Sequence, residues 1–171
     1  RRWLPENTAW DAAAAQAVYL EALTANDADN TQEIAAARLS VASTADPVAR
    51  YLLLDAVLES HFDRDLLALE VPQLVEAAHR TGSPLLIATA RRWDGFRLLY
   101  GIDPPDIPAA LECFRQSAAM AAADGSRSVE CWGRWAVGAC AVLAGQADAA
   151  ALQVDALGFA YEIRHPRSID M

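Results

Sequence analysis

The chain has 171 residues, 38 of them Ala, with 14 Arg, no Lys and a net charge of −9. That length suits one domain, and 54% apolar with 22% charged residues excludes a disordered tail. The acidic balance excludes a duplex-binding module, which needs a basic footprint, and a surface for anionic membranes.

Ala is the best helix former, and this much of it points to an all-α protein. The first helix is expected over roughly Thr8 to Thr24, capped by Asn7 or Thr8, with Trp10, Ala14, Ala17 and Val18 on one face. The stretch from Asn26 to Asn30 reads as a loop. A second helix follows Asn30, with Glu33 completing a capping box and Ile34, Ala37 and Val41 as its apolar stripe.

Asp46-Pro47 marks a third helix, because proline at the first helical position loses no hydrogen bond. Its stripe is Tyr51, Leu54, Leu58 and Phe62. Leu66 to Glu70 is ambiguous, and Pro72 is expected to open the main part of a fourth helix, which Gly82 ends. Ser83-Pro84 repeats the cap-plus-proline device and starts a fifth helix that runs to about Tyr100. Gly101 to Pro105 is a break.

A sixth helix follows Asp106, with Ile107, Ala110, Leu111, Phe114, Ala118 and Ala121 on one face, and ends at Asp124-Gly125-Ser126. A seventh spans about Arg127 to Ala144. An eighth covers about Ala147 to Ile163, with Ala150, Val154, Leu157 and Tyr161 in phase, and Pro166 stops it. Short turns make sequential helices antiparallel neighbours.

The starts of helix pairs recur at Asp46-Pro47, Ser83-Pro84, Asp124-Gly125-Ser126 and His165-Pro166, at spacings of about 37, 42 and 41 residues. A two-helix period near 40 is the sequence mark of an α-solenoid. The expected fold is a right-handed solenoid of four helix pairs spanning residues 1–171 without a visible domain boundary. Helices one, three, five and seven would line its concave side.

Gly138, Gly145 and Ala150 have the spacing Gly-x6-Gly-x4-Ala, which resembles a tetratricopeptide repeat. Ala110 and Phe114 match one repeat earlier, placing Ala110 and Ala150 where paired helices touch. The turns at Thr44 to Pro47, Thr81 to Pro84 and Ala123 to Ser126, with the closing Glu162 to Arg167, also resemble a larger group. These are the helical-repeat regions of large bacterial regulators of the LuxR and AfsR type, over about 120 of the 171 residues. The resemblance implies a non-catalytic sensor or interaction arm of a cytoplasmic transcriptional regulator. A stand-alone tetratricopeptide-like adaptor that binds peptides is the second reading, and a helical enzyme with an apolar pocket the third. The family's ATPase activity does not carry over, because a chain without Lys has no phosphate-loop motif.

No other chemistry stands out, and no cofactor or metal is implied. His61, His79 and His165 do not sit at helical ligand spacing, and His61 with Asp63 and Asp65 reads as a polar loop. Cys113, Cys131 and Cys140 lie in apolar helical patterns, as small buried hydrophobes do, and fit a reducing cytoplasm. The best candidate is geometric. On the tetratricopeptide register Trp132 and Trp135 point into the concave groove, and Arg91, Arg92, Trp93 and Arg97 occupy the matching helix one pair earlier. Trp and Arg are enriched at binding hot spots, and Arg grips carboxylates bidentately. Such a groove would take a protein, a peptide or a small acidic ligand. The alternative is that the Trp residues are core between repeats and the Arg residues a solvated face. Exposed ends of the repeat array would favour a homodimer.

Overall fold

A computed structural model describes residues 13–20 and 31–164, and every element among them is helical. Expectations placed on Asn7, Thr8, Trp10, the loop from Asn26 to Asn30, the Asn30 cap and His165-Pro166 lie outside the described residues. Helices are numbered α1 (described over 13–20), α2 (Thr31–Ser43), α3 (Pro47–Ser60), α4 (Arg64–Thr81), α5 (Pro84–Phe96), α6 (Ile107–Asp124), α7 (Arg127–Leu143) and α8 (Ala149–Ile163). They cluster into two compact units, Arg1–Thr81 and Gly82–Met171. The joint falls at Gly82-Ser83-Pro84. There a left-handed glycine (φ +68°) ends α4 and the Ser83 hydroxyl accepts from the Leu86 N–H to start α5.

In the first unit α3 is the central element, flanked by α2 and α4. Asp46 starts it as the sequence requires: one carboxylate oxygen accepts from the N–H groups of Val48 and Ala49, both at 2.9 Å. Seven of its residues are buried, including Tyr51, Leu53, Leu54, Val57 and Leu58. They occur on several sides, which suits a helix sandwiched between two neighbours rather than one with a single wet face. Phe62, expected on this stripe, lies past the helix end and is exposed. In α1 the buried set is Ala13, Ala17 and Leu20, and Val18 faces water.

Helix α4 begins eight residues before Pro72 and runs through it. Asp63 is its true start signal, accepting from the Leu66 N–H at 2.9 Å. Pro72 is exposed, so the backbone carbonyls its ring leaves unbonded can reach water, and the Gln73 amide reaches back to the Leu69 carbonyl. Leu66, Leu67 and Glu70 are buried members of this first half.

In the second unit each helix packs on its chain neighbour, and α5 also touches α7. The α-helical part of α5 stops at Phe96, and its last turn widens into a π-turn, Arg97–Gly101, rather than running regularly to Tyr100. The wider turn leaves Leu99 in the core and Tyr100 outside. The Asp106 N–H donates to the Leu98 carbonyl, which ties the break back to this turn. Fully buried Phe114 lies at the centre with Leu99, Ala110, Leu111, Ala136, Val137 and Cys140. Its ring meets Phe96 edge-on at 5.1 Å.

Glycines set the helix approaches. A Cβ on Gly95 would fall 2.5 Å from the Phe114 ring, one on Gly133 2.9 Å from the Ala118 backbone, and one on Gly138 2.9 Å from the Gln153 side chain. Phe114 and Gln153, 39 residues apart, each stand against a glycine of the preceding helix, and those glycines are 43 residues apart. The left-handed caps Gly125 and Arg164 are also 39 residues apart. Ala149 is buried and Ala150 exposed, so the contact position on α8 falls one residue before the expected one. This one-residue offset moves the expected stripe of α8 outward: Val154, Leu157 and Tyr161 face solvent, while Ala149, Ala156 and Ala160 face α7.

Candidate interaction site

The Arg and Trp residues singled out in the sequence are brought together on α5 and α7. Arg91 and Arg97 flank Asp94 on the same helix. Arg97 bonds Asp94 at 2.7 Å, and Arg91 stands 3.9 Å from its other oxygen. The carboxylate these guanidinium groups hold is the chain's own. Arg92 is 7% exposed and lies over two indoles, 5.3 Å from the Trp93 ring centre and 5.5 Å from that of Trp132. Trp132 meets Trp135 edge-on at 5.7 Å, and Trp135 packs on the core around Phe114. Trp93 is buried. Cation–π stacking of this kind binds two helices together. Trp132 and Trp135 are half-buried beside it.

The Cys113 thiol lies 3.8 Å from the Asp94 carboxylate. Burial pushes its pKa up, and the negative charge of Asp94 adds to the effect. Burial also raises Cys140, partly opposed by Arg115. Raised thiol pKa values give stability that is complete below the unfolded value of about 8.5 and lost as pH rises through the folded values. Urea unfolding is expected to be insensitive to these thiols at pH 7 and to weaken above about pH 8.5. A Cys113→Ala, Cys140→Ala variant should show a shallower alkaline slope.

An open depression lies in the first unit, at residues that carry no motif. The backbones of α2 and α4 both rest on α3 but do not approach each other. The trough between them has two lobes of about 480 and 300 Å³, which share Ala35 and Arg38. The larger lobe includes Leu39, Ala42, Glu70 and Gln73, and the smaller Ile34, Asp65 and Leu69. Leu39 and Leu69, on opposite walls, are 74% and 59% exposed. Large aliphatic side chains left in water beside small Ala residues form an apolar bed with little steric cost of entry.

One polar chain crosses this bed. The Arg38 guanidinium donates to Glu70 at 2.7 Å, and the Gln73 amide donates to the other Glu70 oxygen at 2.9 Å. Gln73 in turn accepts from Arg50 of α3 at 2.8 Å. Glu70 is nearly buried, so this compensation is what makes its charge tolerable. With both oxygens engaged, Glu70 is a structural carboxylate. The exposed side of Arg38 and the acids Asp63 and Asp65 add the trough's outward charge.

The signal for the trough was present but indirect. Leu39 lies out of phase with Ala37 and Val41, and Leu69 out of phase with Leu67, Val71 and Leu74. Among the described residues no group of three or more His, Cys, Asp or Glu is placed to hold a metal ion, and no helix is long and apolar enough to cross a membrane. His61 pairs with Asp63 at 3.3 Å on an exposed corner. Comparison with family models, curated proteins and solved structures finds no match.

Proposed function

We propose that the chain is a non-catalytic interaction arm, a helical-repeat segment of a cytoplasmic bacterial transcriptional regulator, which receives an apolar protein segment in the α2/α4 trough. The observation that carries this reading is the trough itself: exposed Leu39 of α2 lines its larger lobe and exposed Leu69 of α4 its smaller one, and Arg38, shared by both lobes, bridges to Glu70. Within each unit the described helices pack on their chain neighbours, which supports a repeat array, and such arrays bind partners on extended surfaces. A peptide adaptor would instead use the furrow between first helices, and in the second unit Arg92 and Trp132 occupy that space. The regulator arm is therefore the better reading.

Selection of peptides from a displayed library on the intact chain tests the trough. Enriched peptides should carry apolar residues at helical spacing. A Leu39→Glu, Leu69→Glu variant, with unchanged circular dichroism and Tm, should bind them at least about tenfold more weakly, since two desolvated contacts are replaced by unpaired charges. No enrichment, or peptides indifferent to the double variant, would overturn the assignment.

A further inference from the structure

The trough of the first unit carries its unmatched charge at one end. On α2 its lining runs from Thr31 through Arg38 to Ala42, about 16 Å of helix at the usual rise. Thr31 and Ile34, with Asp63 and Asp65 at the start of α4, belong to the smaller lobe alone. Ala42 and Gln73, farther along the same two helices, belong to the larger lobe alone. The lobes therefore follow one another along the walls, and both acids lie at the N-terminal end.

The larger lobe has no charge to spare. Glu70 is nearly buried and both its oxygens are bonded, one by Arg38 and the other by Gln73. Arg38, shared by the two lobes, is matched by Glu70 at 2.7 Å. The smaller lobe has no other Arg in its lining to set against Asp63 and Asp65, since Arg64, between them in the chain, does not line it. Asp63 caps α4 and stands 3.3 Å from His61, yet keeps 43% of its side chain in water. Asp65 is exposed and has no hydrogen bond or ion pair among the described residues.

We propose that the trough selects a short amphipathic helix of a partner protein with Lys or Arg at one end, its apolar face on the bed and its cationic end over Asp63 and Asp65. This rests on the reading of the trough as the binding surface and adds which partner it takes. A chain of charge −9 attracts a cationic segment from a distance and repels an acidic one. The apolar bed then holds the segment, and the acids at one end fix which way it lies. Three turns of helix, about 16 Å, match the length of the α2 wall.

Peptides selected on the intact chain, and shown to depend on Leu39 and Leu69, are the probes. They should be enriched in Lys or Arg at one end. An Asp63→Asn, Asp65→Asn variant should bind them about three- to tenfold more weakly at low salt with an unchanged Tm, because Asn also caps a helix. Asp65→Asn alone, which leaves the cap untouched, should show part of that loss. Raising the salt to about 0.5 M should remove most of the difference. An Asp124→Asn, Asp148→Asn variant removes the same charge from exposed sites in the second unit and should bind as the wild type does. Leu39- and Leu69-dependent peptides without basic residues, or equal binding by the two double variants, overturn the proposal and leave the trough reading standing. No Leu39- and Leu69-dependent peptide at all overturns both.

Discussion

Replacing Phe114 with Ala is expected to lower the stability of the second unit by about 3–5 kcal/mol. Its ring is fully buried and is the largest such side chain among the described residues. The ring covers Gly95, meets Phe96 edge-on and stands among residues from α6, α7 and the π-turn. Truncation removes the transfer free energy of the ring and leaves a void that those helices cannot close. The void's walls include the ring of Phe96 and the backbone of α5, which are held by their own contacts. Urea unfolding followed by tryptophan fluorescence measures the loss, because Trp93, Trp132 and Trp135 all lie in this unit. A Phe114→Leu variant should recover more than half of it, since most of the apolar volume returns. A loss below about 1 kcal/mol would mean that Phe114 is not the centre of this core.

Gly133→Ala is expected to cost about 1–3 kcal/mol, even though Ala is the better helix former by about 1 kcal/mol. The added methyl would stand 2.9 Å from the backbone N, the Cα and the Cβ of Ala118. No rotamer change relieves a clash with backbone, so α6 and α7 must separate along their length. Gly138→Ala is the informative control. There the nearest atoms are Gln153 Cδ and Cγ at 2.9 and 3.1 Å, part of a flexible side chain, with the Gln153 backbone N farther off at 3.2 Å. Its cost should be smaller, because Gln153 can swing away. Thermal and urea unfolding of the two variants, measured together, should rank Gly133 above Gly138. The opposite order would place the tight helix contact at α7/α8 instead.

Helix starts were the most legible part of the sequence, because a cap is a local device. Asp46-Pro47, Ser83-Pro84 and Asp106 each act where their residue types indicate. Pro72 misled for the same local reason. A proline on a solvent-facing side can sit inside a helix, and only tertiary placement decides which side that is. The α8 stripe failed through register. Its Ala-rich surface carries apolar residues on both faces, so periodicity alone does not say which face meets α7, and only the glycine contacts fix the offset. The Arg and Trp residues were correctly grouped in space. Arg91 and Arg97 engage Asp94, and Arg92 stacks on Trp93 and Trp132, pairings that residue type alone does not announce. The trough was hardest to see, since a space between next-but-one helices leaves no motif in the chain that borders it.

The trough has one further property. Its two walls share no backbone contact and are joined by the reach of a guanidinium from α2 to a carboxylate on α4. Its width is therefore set by how α2 and α4 each pack on α3, and the bridging pair spans an opening that the core beneath holds. Exchanging the bridging pair would change the chemistry of the opening while Leu54, Val57 and Leu67 stay as they are. Across divergent relatives, a surface of this kind can change what it admits one residue at a time while the scaffold that carries it stays fixed.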